Sequence, residues 1–515
     1  MIFVNIDSGA NSMENKGALP QIFLLENFPM KPDRSEESYR VRVEAASKAR
    51  HRPHPKHEAN GDEQRYAQAH YAMSFTKGLK HHDVLGVVED PSHFEAFRGC
   101  INEGFAEPFT SRVYVPTDEP RRKWEAPTAG VVYDLEGPDA QAVTMQPAPR
   151  LCSDELTFEM AEVYELALLR DVPLTSFDSG GGACQADLQA SIDRLNALPY
   201  AKAGFPNRPR KADDTAKIDR QTAFRGSSVN VEIGPYVSQF LWIGNDESHK
   251  ETKADKCHEI SDGFISYGAQ EINQRVPVAK PDEDFMQTWQ EWLRVQNGYD
   301  VNKCTPGQTL DCNRRFICTP RDLATYVHFD ALYQAYLNAA LILLKMETPF
   351  DPAFAKLSGM RNMYGPGDTD GIAQNAGGFA LWGGPHILTL VTEVATRALK
   401  AVRFQKFNTH LRLRPEALAG RISRVEGLEA EFPSICGHLS KMRKDLDQTL
   451  EKIHGHNRPD AALPNGNFLL PMAFQEGSPM HPTYGAGHAA VAGACTTILE
   501  GILRHRCCSR RQCRD

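Results

Sequence analysis

Residues 481–503 read HPTYGAGHAAVAGACTTILEGIL, two histidines bracketing a glycine-rich turn that runs into an apolar helix. Gly485 and Gly487 free the backbone to turn its N–H groups inward, and a helix start adds unpaired N–H groups and a positive dipole end. Upstream, one predicted helical face carries Arg403, Lys406, His410 and Arg414. Lysine and arginine supply countercharge, and the imidazoles of His481 and His488 can move protons. This combination describes a pocket for a tetrahedral oxyanion.

The basic face lies on HILTLVTEVATRALKAVRFQKFNTHLRLRP (386–415), which Pro385 opens and Pro415 ends. Apolar residues at 387, 391, 394, 395, 398 and 402 form a continuous stripe. At about 100° per residue, Lys406 falls about 40° from Val402, so the stripe carries the ammonium inward. If the helix stays regular, Arg403, His410 and Arg414 lie within about 40° of one another and Lys406 about 40–80° away. Between Arg397 and Arg424 the only acid is Glu416. Buried cations without acidic partners are costly unless an anion joins them. A solvated basic face, or one touching lipid or RNA, is the alternative; a solvated face, however, belongs opposite the apolar stripe rather than merged with it. In the histidine loop, Ala489, Ala490, Ala492, Gly493 and Ala494 allow close packing of the helix that follows.

The rest of the chain reads as mostly α with long loops. With 515 residues, two to four domains are the length-based expectation. A net charge of −8 argues against general nucleic-acid binding. No apolar run reaches the ~18 residues needed to span a bilayer, and the N-terminus has no signal-peptide pattern; the compartment stays open. Residues 1–60 read as an extended N-terminal arm, 61–320 as an N-terminal helical region, 321–503 as a helical-bundle catalytic region and 504–515 as an aberrant tail. Helices are predicted over 156–172, 185–198, 285–298 and 441–456. The run 321–346 is apolar on nearly every side, which predicts one long helix buried in a bundle or an oligomer. Cys304, Cys312 and Cys318 lack the CxxC pair usual for zinc, which leaves a local disulfide or free thiols. In GPGDTDG (365–371), Asp368 and Asp370 could ligate calcium through oxygen, or could simply shape a turn.

FQEGSPMHPTYGAGHAAVAGA and LWGGPHILTLVTEVATRALKAVRFQKFNTHLRLRPE, with YVHFDALYQAYLNAALILL, GPYVSQFLW and NGDEQRY…SFTKGLKHHD, resemble the vanadium-dependent haloperoxidases, especially the algal and cyanobacterial bromoperoxidases. The likeness covers most of residues 40–503. It implies an all-α fold of paired helix bundles, shared with type 2 acid phosphatases through a Lys…Arg-Pro motif, a Pro-Ser-Gly-His motif and a distal Ser-Arg…His motif. It implies vanadate as cofactor, held by Lys406, Arg414 and the Gly487 N–H, with His488 as acid–base group. His481 and Arg403 stand where chloroperoxidases tend to carry an aromatic residue and tryptophan, a bromoperoxidase-like choice that would tune halide use. In such an enzyme vanadate acts as a Lewis acid toward hydrogen peroxide, Lys406 makes one peroxide oxygen electrophilic, and bromide (or iodide) leaves as a hypohalous species that halogenates small organic acceptors. A homo-oligomer, dimer-based and up to a dodecamer, and a structural calcium are further implications.

Two departures stand out. Ala486 sits where the family commonly has serine, so a hydroxyl bond to vanadate worth ~1–2 kcal/mol would be missing. The family's distal arginine and vanadium-bound histidine belong well beyond the 27 residues that follow His488. RHRCCSRRQCRD (504–515) therefore reads as a truncated or misread C-terminus, which could leave the chain inactive. The alternatives are a phosphatase of the same superfamily and an inactive, oligomer-forming fragment.

Overall fold

The structure, a computed structural model, describes residues 32–503 except 134–136, 179–184, 208–217, 227–233, 246–262, 304–309, 312, 347, 349, 352–353 and 355–377. The chain divides into two units, residues 1–52 with 133–136, and 53–132 with 137–515. In the first, Pro32–Arg50 is a helix of 19 residues, not the extended arm that composition suggested. Proline stands only at its first turn, where no N–H is needed, and charges such as Glu44 and Lys48 pair one turn apart at 2.6 Å.

Among the described residues the second unit consists of helices joined by long loops, with one hairpin, Phe264–Tyr267 antiparallel to Gln270–Asn273. Its larger core gathers helices Asp154–Leu168, Gln185–Ala197, Pro415–Ser423, Val425–Glu431, His438–Asp445 and Asp447–His456. The predicted helix over 441–456 is thus two helices, broken at Leu446. A second core joins Gln334–Lys345, Gly384–Phe404 and Gly487–Ile502. There Ile387, Val391 and Ala395 meet Val491, Cys495 and Leu499, each set one turn apart, so two narrow stripes of small and branched residues interlock. Each fully buried branched side chain contributes about 1.5–3 kcal/mol.

The single long helix expected over 321–346 is instead two, Pro320–Phe329 and Gln334–Lys345. The first starts on a capping box: the Thr319 hydroxyl accepts from the Asp322 N–H, and the Asp322 carboxylate accepts from the Thr319 N–H, both at 3.1 Å. It stops at Asp330, whose backbone is extended (φ −67°, ψ 152°). A short acid competes with the helical backbone for hydrogen bonds, and here its carboxylate meets His488, at the start of the Gly487–Ile502 helix. The apolar-all-round pattern was therefore the sum of two differently facing helices. Asp368, Asp370, Cys304 and Cys312 lie outside the described residues; Cys318 carries a free thiol.

One close approach anchors the helix that leads to the site. Gly130, in the turn Ala129–Val131, lies so near the helix end that an added Cβ would stand 2.4 Å from Phe404 Cα. Backbone cannot yield as a side-chain tip can. Gly130→Ala is expected to cost about 1–3 kcal/mol, read as a lower urea midpoint at unchanged m-value.

Candidate active site

The Gly384–Phe404 helix buries Ile387, Val391, Ala395 and Val402, as its apolar stripe predicts. Beyond Phe404 the regular helix fails. Gln405–His410 form a widened π turn, and Leu411 ends it in the left-handed region at φ 38°. π turns recur at functional sites because they re-aim side chains. The assumption of an unbroken helix to residue 414 is thus wrong, and the four cationic positions do not share one face. Lys406 does turn inward: it is 1% exposed, and its Nζ donates to the carbonyls of Pro482 (2.9 Å) and Thr483 (3.1 Å). His410 leaves the group. Its ring is buried edge-on to Tyr484, its two nitrogens have no hydrogen-bond partner, and burial pushes it down to about 4.

Arg414 reaches the site by another route. After the left-handed turn at Leu411, Arg412 and Leu413 run as a strap: the Phe75 N–H donates to the Leu411 carbonyl (2.7 Å), Arg412 bridges Ser74, and the Thr483 N–H donates to the Arg412 carbonyl (3.1 Å). The strap delivers Arg414 at the cap of the Pro415–Ser423 helix and ties the histidine loop to it.

Arg403, Lys406 and Arg414 then face His481, Ala486, Gly487 and His488 across one cavity of about 670 Å³. Gly487 is the first residue of its helix and Ala486 the cap, with no side chain able to accept from the first turn. The leading N–H groups have no partner within the helix, and Ala486, Gly487 and His488 line the cavity. His488 Nε2 sits 3.2 Å from Asp330, so the helix break at Asp330 orients this imidazole. His481 Nδ1 meets the Pro482 carbonyl at 2.9 Å, and Nε2 lies 3.8 Å from Glu125. Burial, reinforced by Lys406, Arg403 and Arg414, holds His481 far below the ordinary histidine range, so it is neutral.

Charge on the cavity wall is incompletely matched. Asp330 is engaged by His488 and Glu476 by His328 (3.4 Å). Glu125 stands 3.7 Å from Arg403, and the Nε and Nη1 of that buried guanidinium have no hydrogen-bond partner. Burial, then Arg414 and Arg403, push Lys406 down to about 6. A buried donor without an acceptor and a destabilised ammonium are what an absent oxyanion would leave behind, so these residues fit vanadate or another tetrahedral oxyanion.

Several wall residues were not legible beforehand. Asp330 left a trace, as an acid interrupting an apolar run. Glu125, His328 and Arg122 left none, since they arrive from loops and helix ends remote in sequence.

Lys406 links stability to pH. Its folded value of about 6 lies below the ordinary lysine value of 10.5, so between those limits the unfolded chain binds a proton that the native one lacks. Stability should therefore rise with pH across that window, and the penalty is complete below it. Without oxyanion, Lys406→Met is expected to gain about 1–4 kcal/mol near pH 7. Urea titrations at several pH values should show that gain fading as pH approaches 10.5.

No family profile matches the chain. It is 40% identical over 516 residues to the vanadium-dependent bromoperoxidase of Corallina pilulifera, spanning 91% of this chain and 82% of that protein. It is 30% identical over 438 residues to the vanadium-dependent bromoperoxidase of Ascophyllum nodosum, spanning 84% and 69%. A homohexameric vanadate-dependent bromoperoxidase structure from Ascophyllum nodosum superposes with TM-score 0.66 at 24% identity, over 95% of this chain and 73% of that one, and so shares the fold. With its length matched so fully at that identity, the chain belongs to the vanadium-dependent bromoperoxidases.

Proposed function

We propose that this chain binds vanadate in the cavity and uses hydrogen peroxide to oxidise bromide, or iodide, to a hypohalous species that halogenates small organic acceptors. The observation that carries the reading is the single cavity shared by Lys406, Arg403 and Arg414 with the start of the Gly487 helix. Lys406, Arg414 and the Gly487 N–H would hold oxyanion oxygens, and Ala486 would add no hydroxyl. Vanadate, when bound, supplies activation of peroxide toward two-electron oxidation of halide. His488, whose Nε2 lies 3.2 Å from Asp330, would take a peroxide proton and return it. His481 commits Nδ1–H to the Pro482 carbonyl and keeps Nε2 as an acceptor, so it positions rather than donates. Arg403 and His481 flank the remaining space, where a halide would be drawn by the guanidinium. The anion's charge would favour protonated Lys406 and so offset its burial.

The distal arginine and histidine expected from the family resemblance are not among the described residues, and 504–515 lie outside them. Among the described residues no helix is long and apolar enough to cross a membrane. A homo-oligomer, dimer-based and up to a dodecamer, belongs to the same proposal; sedimentation of the purified chain as a monomer would contradict it.

Vanadate, peroxide and bromide added to purified protein should brominate a phenolic dye, with phosphate suppressing the rate. Lys406→Ala should lower that rate roughly 100-fold or more. Phosphoester cleavage without bromination would point to a phosphatase, and silence in both assays to an oligomer-forming chain without activity. Ala486→Ser should bind vanadate about 5–10-fold more tightly through one regained hydrogen bond. The same change should stabilise the helix start by about 0.5–1 kcal/mol, visible as a raised melting temperature.

A further inference from the structure

Behind Arg414 lies a buried polar chain that the reaction does not use. The Arg414 Nε–H donates to the Ser478 hydroxyl at 2.8 Å, and that hydroxyl donates to Glu416 Oε1. The same carboxylate oxygen accepts from Lys77 Nζ at 3.3 Å, and the Lys77 and Glu416 side chains are each 1% exposed. Lys77 also donates to the carbonyls of Glu476 (3.2 Å) and Ser478 (2.6 Å), and Arg122 grips the same two carbonyls at 3.2 Å. Burial pushes the Glu416 carboxyl up, but Lys77, Arg414 and the Ser478 hydroxyl outweigh it and keep the carboxylate ionised.

We propose that Ser478 and Glu416 are positioning residues for oxyanion binding: Ser478 relays the Glu416 charge to the Nε edge of Arg414, which fixes the guanidinium while leaving its Nη edge for the anion.

The interposed hydroxyl is the point of the arrangement. A carboxylate bonded directly to Arg414 would occupy the bidentate edge that an oxyanion needs and cancel much of its charge. Glu416 is neutralised by Lys77 instead, and touches Arg414 only through one neutral hydroxyl. Among the described residues Arg414 forms no direct ion pair, and its guanidinium donates to Ser478. A guanidinium held at one nitrogen by a buried, doubly gripped turn loses little freedom when the anion arrives, and such preorganisation raises affinity.

The inference rests on Arg414 being an oxyanion ligand, and the test separates the two. Inorganic phosphate binding to the full, vanadate-free chain is measured by titration calorimetry, beside the melting temperature. Ser478→Ala should weaken phosphate binding about tenfold, the loss of one charge-assisted bond, and Ser478→Thr should restore it. In an Arg414→Lys background, which has no Nε fork, adding Ser478→Ala should change the affinity no further. If Ser478→Ala does not fold, Ser478→Cys reads the same quantity with a weak thiol in the hydroxyl's place. Wild-type affinity in Ser478→Ala (or Ser478→Cys), or an equal loss in the Arg414→Lys background, overturns the positioning role. Unchanged phosphate binding in Arg414→Ala overturns the site reading itself.

Discussion

Positive charge that is buried before its partner arrives is the constraint around which this molecule is arranged. Among the described residues, Lys406 is 1% exposed and finds two carbonyl oxygens, and Arg403 leaves two guanidinium nitrogens without an acceptor. Such groups lower the stability of the resting fold and favour any oxyanion of suitable size. The surrounding packing must therefore supply the free energy that holds them in place, and the interlocked stripes belong to Gly384–Phe404, which carries Arg403, and Gly487–Ile502, which carries His488.

Three devices convert that packing into a site. The π turn at Gln405–His410 swings Lys406 into the cavity and His410 out of it. The strap at Arg412–Leu413 binds the histidine loop to the segment carrying Arg414, so the two halves cannot drift apart independently. The helix break at Asp330 places a carboxylate against His488. Each is a local departure from regular structure, and each sits where a functional side chain must be aimed. Regular helices give rigidity; the irregular joints give direction.

Histidines in the same cavity are treated differently by their surroundings. His481 lies among three cations and is kept neutral, whereas His488 sits 3.2 Å from a carboxylate and is 45% exposed on its side chain. Two identical side chains thus meet opposite surroundings, one among cations and the other against a carboxylate, without any change of residue. Glu416 shows the same economy: one carboxylate balances Lys77 and steadies Arg414 through Ser478.

Much of this was readable in the chain itself. Apolar spacing along 387–402 determined which face of the basic helix is buried, and Gly487 ahead of small residues determined a helix start able to face an anion. Those signals are local, set by helical period and by the lack of a side chain. The break at Asp330, the π turn, the exit of His410 and the arrival of Glu125, Asp330 and Ser478 were decided only in three dimensions. Their causes are contacts between residues tens to hundreds of positions apart, where the energy of a hydrogen bond or a buried charge overrides local helical preference.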